Sequence, residues 1–472
     1  MNPHMPKKSI TFTCPWCFED VDSMSLHFRC PKQTSETRDP DFADEPDRLL
    51  AAFRQSIGVP APDLMYKALT RDNPGVRAVT QRIGKTKAWQ LTGLRDKYKN
   101  TTTERLCPHC HNPLPASCGE ANTKIVSIIG YTKIGKTVFL VSLLEWLAQK
   151  MHTVLPGARF GFIEGSMGDW FAKRRHELNK GEVVQTPVEY VEPIIGELKL
   201  PNGSVLLLSL YDFPGEADVD QMRVLAQKHI NKADAWLYLY DLTRTLTWWE
   251  AVCLNKIREN KLRLQDPAND AAQREFLETE IANLEWMLKE PGSIPVRDYS
   301  GNIEASKYVG AQEWLQQRLE NIREKETEKK KRRKEVAKVR PIAVVGTKSD
   351  EIANIAEDLL EKVGDAATLK DGIDALRPSS KKLTKQSLEQ VHRWMVHNQG
   401  LLAGDLDLTD YIGKLSPLSH YFAISSLGCA YKESVGMNGE LVKELPIESR
   451  DPWRIAEPLL WLIGALNLYS IK

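Results

Sequence analysis

The sequence is nearly free of net charge: 64 Lys and Arg stand against 63 Asp and Glu, a formal balance of +1. A balance this close to zero excludes a global electrostatic pull toward nucleic acid or an anionic membrane, so any such binding has to be local. Long apolar runs are missing too. No stretch reaches the roughly 18 apolar residues of a membrane span, and the nearest, Ile455 to Tyr469, is interrupted by Glu457 and Pro458 and reads as a packed terminal helix. No basic start followed by an apolar run marks the first residues, so the expected compartment is the cytoplasm. In a reducing compartment the eight cysteines, several in CxxC pairs, point to metal ligation and away from a disulfide framework. With 472 residues, 42% of them hydrophobic, the chain is long enough for two or three domains with sizeable cores.

The most informative stretch is Lys124 to Trp146. Ile125 to Ile129 form a buried-strand run, Gly130 to Thr137 spell G-x-x-x-x-G-K-T, and apolar residues then recur at helical spacing. Strand, glycine loop and helix in this order make a phosphate-binding loop. The glycines let backbone N–H groups turn inward around a phosphate, Lys136 reaches the β- and γ-phosphates, and Thr137 ligates Mg²⁺. The helix N-terminus behind the loop favours an anion. Gly130, Thr132, Lys133, Ile134, Gly135, Lys136, Thr137 and Val138 are the candidate nucleotide contacts.

Cys14-Pro-Trp-Cys17 and Cys107-Pro-His-Cys110 are two proline-bearing CxxC knuckles. Each sets two thiolates on one side of a tight loop, and two such loops complete a tetrahedral Zn²⁺ site. The gap between them far exceeds the usual roughly 15 to 20 residues, which predicts a zinc ribbon split by an insertion. Cys14, Cys17, Cys107 and Cys110 are the expected ligands, with Cys30 an alternative and Cys118 a further candidate. His109 and His111 read as solvated neighbours. Between the knuckles, helix-like pieces fall around Asp47 to Phe53 and Asp63 to Leu69. Basic residues cluster from Arg71 to Lys99 with Trp89 and Tyr98 among them; because they are scattered, a solvated face is the preferred reading over a nucleic-acid surface.

Beyond the loop the chain offers four more elements in order. Thr186 precedes a strand predicted within Val188 to Leu200 and is the best-placed candidate Mg²⁺ ligand that depends on the γ-phosphate, with Thr153 a weaker competitor. The apolar strand from Ser204 ends in Asp212-Phe-Pro-Gly215-Glu216, about 75 residues after the loop. There Asp212 can hold Mg²⁺ through a water and the Gly215 N–H can bond a γ-phosphate. A strand over Ala235 to Tyr240 ends in Asp241, and Ile342 to Val345 runs into Thr347-Lys348-Ser349-Asp350. A carboxylate at Asp350 accepts from both the N1–H and the 2-amino group of guanine while Lys348 packs along the base; adenine has no matching donor pair. A last strand ends in Ser425-Ser426-Leu427-Gly428, whose N–H groups suit the guanine oxygen.

The ordered set GYTKIGKT, Thr186, DFPGE, TKSD and SSLG resembles the TRAFAC class of Ras-like P-loop GTPases, over the strands and loops of residues 122–472. With the N-terminal CPWC/CPHC pair and a closing segment IAEPLLWL, the chain more narrowly resembles the bacterial double-GTPase proteins. That resemblance implies an α/β, Ras-like fold with a mostly parallel sheet, binding of GTP and GDP with Mg²⁺, and a regulatory setting among partner proteins in conflict or defence systems. One position departs from the pattern: Ras-like enzymes commonly carry glutamine after the DxxG glycine to orient the attacking water, and this chain has Glu216. Lys136, Thr186, Gly215 and Glu216 are the expected catalytic set, with hydrolysis slow or partner-dependent.

The expected domains are 1–121, a split zinc ribbon, and 122–472, the GTPase, interrupted by helical insertions at about 243–340 and 351–418. Arg323 to Arg340 holds ten basic and four acidic residues, including the run Lys329 to Lys334. With Glu326/Lys330 and Glu328/Arg332 at i,i+4 spacing, it reads as an exposed charged helix in preference to a nucleic-acid site. His392 beside Trp394 reads as packing. The competing functions are a GTP-binding scaffold with little hydrolysis and, more remotely, an ATPase motor.

Overall fold

The computed structural model describes residues 9–30, 47–56, 68–83, 88–119, 124–130, 134–162, 168–180, 194–210, 232–242, 246–289, 339–350, 385–397, 412–413, 416–428, 432–435, 441–444 and 451–468. In chain order the elements are β1 (Thr11–Thr13), β2 (Asp20–Asp22), β3 (His27–Arg29), α1 (Arg48–Ser56), β4 (Ala68–Leu69), β5 (Arg77–Arg82), β6 (Trp89–Arg95), β7 (Thr101–Thr102), β8 (Arg105–Leu106) and β9 (Val126–Ile129). They continue as α2 (Lys136–Gln149), α3 (Met151–Val154), β10 (Arg159–Phe162), α4 (Gly168–Asn179), β11 (Ile194–Lys199), β12 (Val205–Leu210), β13 (Ala235–Asp241), α5 (Leu246–Leu264) and α6 (Ala271–Lys289). The last are β14 (Ile342–Thr347), α7 (Lys385–His397), β15 (Ser419–Ala423), β16 (Lys432–Val435), β17 (Leu441–Glu444) and α8 (Glu457–Ala465). The chain divides into two compact units, one of Met1–Ser127, Leu155–Asp169 and Pro187–Asp234, the other of Ile128–Val154, Trp170–Thr186 and Ala235–Lys472.

The first unit is built from short antiparallel sheets. β3 lies between β4 and β8, β5-β6-β7 form a meander, and β10-β11-β12 form a separate three-stranded sheet. Leu91 and Leu94 of β6 are three apart, a spacing that would send them to opposite faces of a regular strand. A register shift opposite Val79 and Thr80 leaves Thr92 unpaired, and this extra residue lets both leucines enter one core. That core also holds Phe28, Leu69, Ile195, Leu207 and the four knuckle cysteines. The helix expected to run to Leu69 is not what forms there: Ala68 and Leu69 pair with Arg29 and Phe28 as β4. Both residues are buried, and cross-strand burial decides over local helix propensity.

In the second unit the sheet order is β15-β14-β13-β9, a four-stranded parallel sheet. Asp241 of β13 sits level with Thr347 of β14, and Ile342 level with Ser419 of β15. Every residue of β13 and β14 is buried, the continuous apolar pattern of parallel strands covered on both faces. α8 packs on β13 and β14, and α7 on β15. His392 of α7 stacks on His420 of β15 (centroids 4.1 Å), which stacks in turn on Trp461 of α8 (5.3 Å). α5 and α6 begin the expected insertion as a helical hairpin around Cys253, Ile257, Ile281 and Leu284, with a buried Asn260–Glu280 hydrogen bond of 3.0 Å. The run Lys329 to Lys334 and most of 351–418 lie outside the described residues. No helix among the described residues is long and apolar enough to cross a membrane.

Candidate metal centre and phosphate-binding loop

The two CxxC knuckles of the first unit are built alike. Each returns a backbone hydrogen bond to its first cysteine, Phe18 N to Cys14 O at 3.1 Å and His111 N to Cys107 O at 2.9 Å. Each turns on a left-handed residue directly after its second cysteine, Phe18 (φ 59°) and His111 (φ 53°). Each also aims a backbone N–H at its first sulfur, Trp16 N to Cys14 Sγ and His109 N to Cys107 Sγ, both 3.4 Å. Trp16 then ties the knuckles together through its indole, which donates to Pro113 O at 2.9 Å.

The four sulfurs converge. All lie within 4.8 Å of one another, with Cys14–Cys110 at 4.0 Å and Cys17–Cys107 at 3.8 Å. A tetrahedral site with metal–sulfur bonds of about 2.3 Å requires sulfur–sulfur edges of about 3.8 Å, so the cluster fits zinc. Burial pushes the Cys14 and Cys110 thiols well above their usual range, while hydrogen bonds from Cys110 and Cys14 hold Cys107 far below it. Four buried sulfurs this close cannot all ionise without a cation between them, and a metal supplies that charge. This is therefore a buried four-cysteine cluster that could bind a metal such as zinc. Cys30 is not part of it. Cys118, also outside it, is wholly buried, and burial raises its thiol pKa.

Neighbouring His111 is not solvated, contrary to expectation. It is 8% exposed, bonds Asp47 through Nδ1 at 2.7 Å and meets His27 Nδ1 through Nε2 at 2.8 Å. Arg29 completes the network at 3.1 Å from Asp47, anchoring the start of α1 beside the second knuckle. Sequence reading missed this because its members are scattered between residues 27 and 111.

In the second unit, β9 delivers Gly130 to the carboxyl edge of the sheet, where ligands of parallel α/β sheets bind. A Cβ on Gly130 would lie 2.2 Å from Ile134 Cδ1 and 3.0 Å from the Leu239 carbonyl, so a larger residue would have to push the buried Ile134 side chain aside. Gly135 caps α2 in the left-handed region (φ 84°). Lys136 is 8% and Thr137 4% exposed, and the Lys136 ammonium donates to Gly130 O at 3.0 Å, folding the side chain back over the loop. Val138 continues the first turn of α2.

Thr347 and Lys348 connect this loop to the next strands. The Thr347 hydroxyl reaches the carbonyl oxygens of Ile134 (3.0 Å) and Tyr240 (3.1 Å). Lys348, left-handed at φ 62°, bonds Asp241 at 2.6 Å, and Asp350 is buried at 5% exposure. Ser426 accepts from Ser142 of α2 at 2.8 Å through its carbonyl. Ser425 Oγ accepts from the N–H groups of Leu427 (3.3 Å) and Gly428 (2.7 Å). Three segments widely separated in sequence thus meet at one edge of the sheet. Asp241 and Ser142 were missed as participants; the available signal was a carboxylate closing an otherwise apolar strand. Thr132, Lys133, Thr186, Asp212, Gly215 and Glu216 lie outside the described residues.

No protein-family model matches the chain, and no curated protein is significantly similar to it.

Proposed function

We propose that the chain is a Mg²⁺-dependent GTP-binding and GTP-hydrolysing switch that regulates partner proteins of a bacterial multi-protein, conflict-type system in the cytoplasm. One observation carries the reading: Thr347 of the TKSD segment bonds the carbonyl of Ile134 inside the glycine loop, so the two segments lie side by side, which supports a single ligand shared by the loop and Asp350. In this reading Lys136 and the loop N–H groups hold the β- and γ-phosphates, and Thr137 gives its hydroxyl to Mg²⁺. Asp350 accepts from the guanine edge, and the Ser425–Leu427 backbone meets the guanine oxygen. The resemblance of the sequence motifs assigns γ-phosphate sensing to Thr186, Asp212 and Gly215 and the position after the DxxG glycine to Glu216. In the first unit, Cys14, Cys17, Cys107 and Cys110 hold one structural Zn²⁺, a closed site with no position left for reactive water.

A nucleotide panel by calorimetry tests this. The expected result is GTP and GDP binding in preference to ATP, with the preference lost in Asp350→Ala; tighter ATP binding, or undiminished guanine preference in that variant, overturns it. Glu216 supports a second reading, a GTP-binding scaffold, because a carboxylate there repels the γ-phosphate. Single-turnover hydrolysis, with and without candidate partners, separates the two: absence of turnover under every condition selects the scaffold.

A further inference from the structure

The segment from Arg71 to Lys99 carries eight basic and two acidic residues in a chain of net charge +1, and the fold organises this excess. β5 is an edge strand, exposed at every residue but Thr80, which is half-buried. Its register sets Arg77 directly opposite Arg95. Paired residues share a face, and like charges in that position repel. Arg95 bonds only a hydroxyl, Thr101 Oγ1 at 3.3 Å, and no carboxylate pairs with either guanidinium among the described residues. The fold thus holds two uncompensated cations together on the face opposite Leu94.

The same unit contains an open groove of about 1070 Å³. Gln81 and Thr92 of the β5–β6 sheet line one side, and β10 lines the other. β10 supplies Arg159, exposed and without an ion partner among the described residues, and two half-buried aromatics, Phe160 and Phe162. These rings meet edge to face at 5.3 Å. Gly196 makes room for them, since a Cβ there would lie 2.5 Å from the Phe160 ring.

We propose that this groove, with the Arg77–Arg95 face, binds a single strand of RNA. Unstacked bases find a sequence-tolerant stacking platform in Phe160 and Phe162, and phosphates find Arg77, Arg95 and Arg159. A duplex hides its base faces and cannot use the rings. The groove also carries Glu104, 3.7 Å from Arg29, and Glu197, 2.9 Å from Lys199, so each carboxylate has a cation beside it, and Gln81 and Thr92 can hydrogen-bond ribose 2′-hydroxyls. That chemistry selects RNA over DNA. The assignment is independent of the guanine-nucleotide reading.

Fluorescence anisotropy on the full chain tests it with a labelled 15-nucleotide single-stranded RNA, DNA of the same sequence, an RNA hairpin duplex and poly-glutamate. The expected result is salt-dependent binding of the single-stranded RNA, at least several-fold tighter than the other three. Arg77→Glu/Arg159→Glu should weaken it by at least 10-fold and lower the salt slope by about 1.4, two contacts at roughly 0.7 each. Phe162→Ala should weaken it about 5-fold with the salt slope unchanged. Arg274→Glu, a charge reversal on exposed α6, should leave it intact. No binding of the single-stranded RNA at 50 mM salt, equal or tighter binding of DNA, duplex or poly-glutamate, or undiminished affinity of the Arg77/Arg159 variant in a folded protein overturns the assignment.

Discussion

Lys348 Nζ lies 2.6 Å from Asp241 Oδ2, in an ion pair whose carboxylate is wholly buried and whose ammonium is 31% exposed. The contact joins the ends of β13 and β14, one step past the Asp241–Thr347 register pair. It holds a lysine in the left-handed backbone region, a conformation that costs a non-glycine residue about 1–2 kcal/mol. Lys348→Met leaves the buried carboxylate without this cation. The expected loss of stability is below the roughly 3–5 kcal/mol of a fully buried pair, because solvent reaches the lysine side. Chemical denaturation of wild type and variant checks it; an unchanged midpoint would show that the pair contributes nothing.

The four-cysteine cluster predicts about one zinc per chain by elemental analysis. Cys107→Ser should weaken retention by more than the roughly 10- to 100-fold typical of outer-shell changes, and should lower the melting temperature of the first unit. Cys30→Ser should leave zinc content unchanged. A metal-free preparation that keeps its fold and melting temperature contradicts the prediction.

Acid should loosen the second unit. Burial lowers the pKa of His392, and burial followed by repulsion from His392 brings His420 down to about 4; the charged groups nearest them are Glu389 and Arg393. A histidine with a depressed folded-state pKa binds fewer protons than it does unfolded. Its contribution is therefore complete above about pH 6.5 and is lost as pH falls toward 4. Melting curves between pH 7.5 and 5 should show a decline on the order of 1–2 kcal/mol. His420→Phe, which keeps the stack between His392 and Trp461, should flatten it. An equal slope in the variant would assign the acid sensitivity elsewhere.

Gly428 sits at φ 72°, and a Cβ there would lie 1.8 Å from the Asp451 carbonyl oxygen. Gly428→Ala must therefore displace backbone that is bridged to Ser425 through Trp453, at a cost above the roughly 1–2 kcal/mol of the left-handed conformation alone. Calorimetric unfolding should show that loss and, on the proposed nucleotide reading, calorimetric titration should show weaker guanine-nucleotide binding. Wild-type stability and affinity would mean the turn relaxes freely.

What could be read in advance and what could not divide along one physical line. The strand β9, the left-handed Gly135 and the helix α2 were legible because they are close in sequence, so spacing encodes shape. The knuckles were legible because each pair of thiols is local, and the chemistry of ligation then joined them across the chain. Register-dependent features were hidden: the pairing of Asp241 with Lys348, the juxtaposition of Arg77 and Arg95, and the shift at Thr92 that turns Leu91 and Leu94 to one side. Ala68 and Leu69 formed a strand for the same reason, since their partners lie on β3. His111 was misjudged because sequence neighbours say little about burial when its partner, Asp47, comes from the start of a helix 64 residues away.

The cluster of Cys14, Cys17, Cys107 and Cys110 also sets a clock on biosynthesis. Ninety residues separate Cys17 from Cys107, so at roughly 5–20 residues per second the first knuckle waits roughly 5 to 20 s for the second to be made. During that interval two thiols are half a site, open to oxidation or to capture by another half-made chain. Once the second knuckle emerges, closing the cluster turns residues 18–106 into a tethered loop, which lowers the entropic cost of ordering what lies between the knuckles.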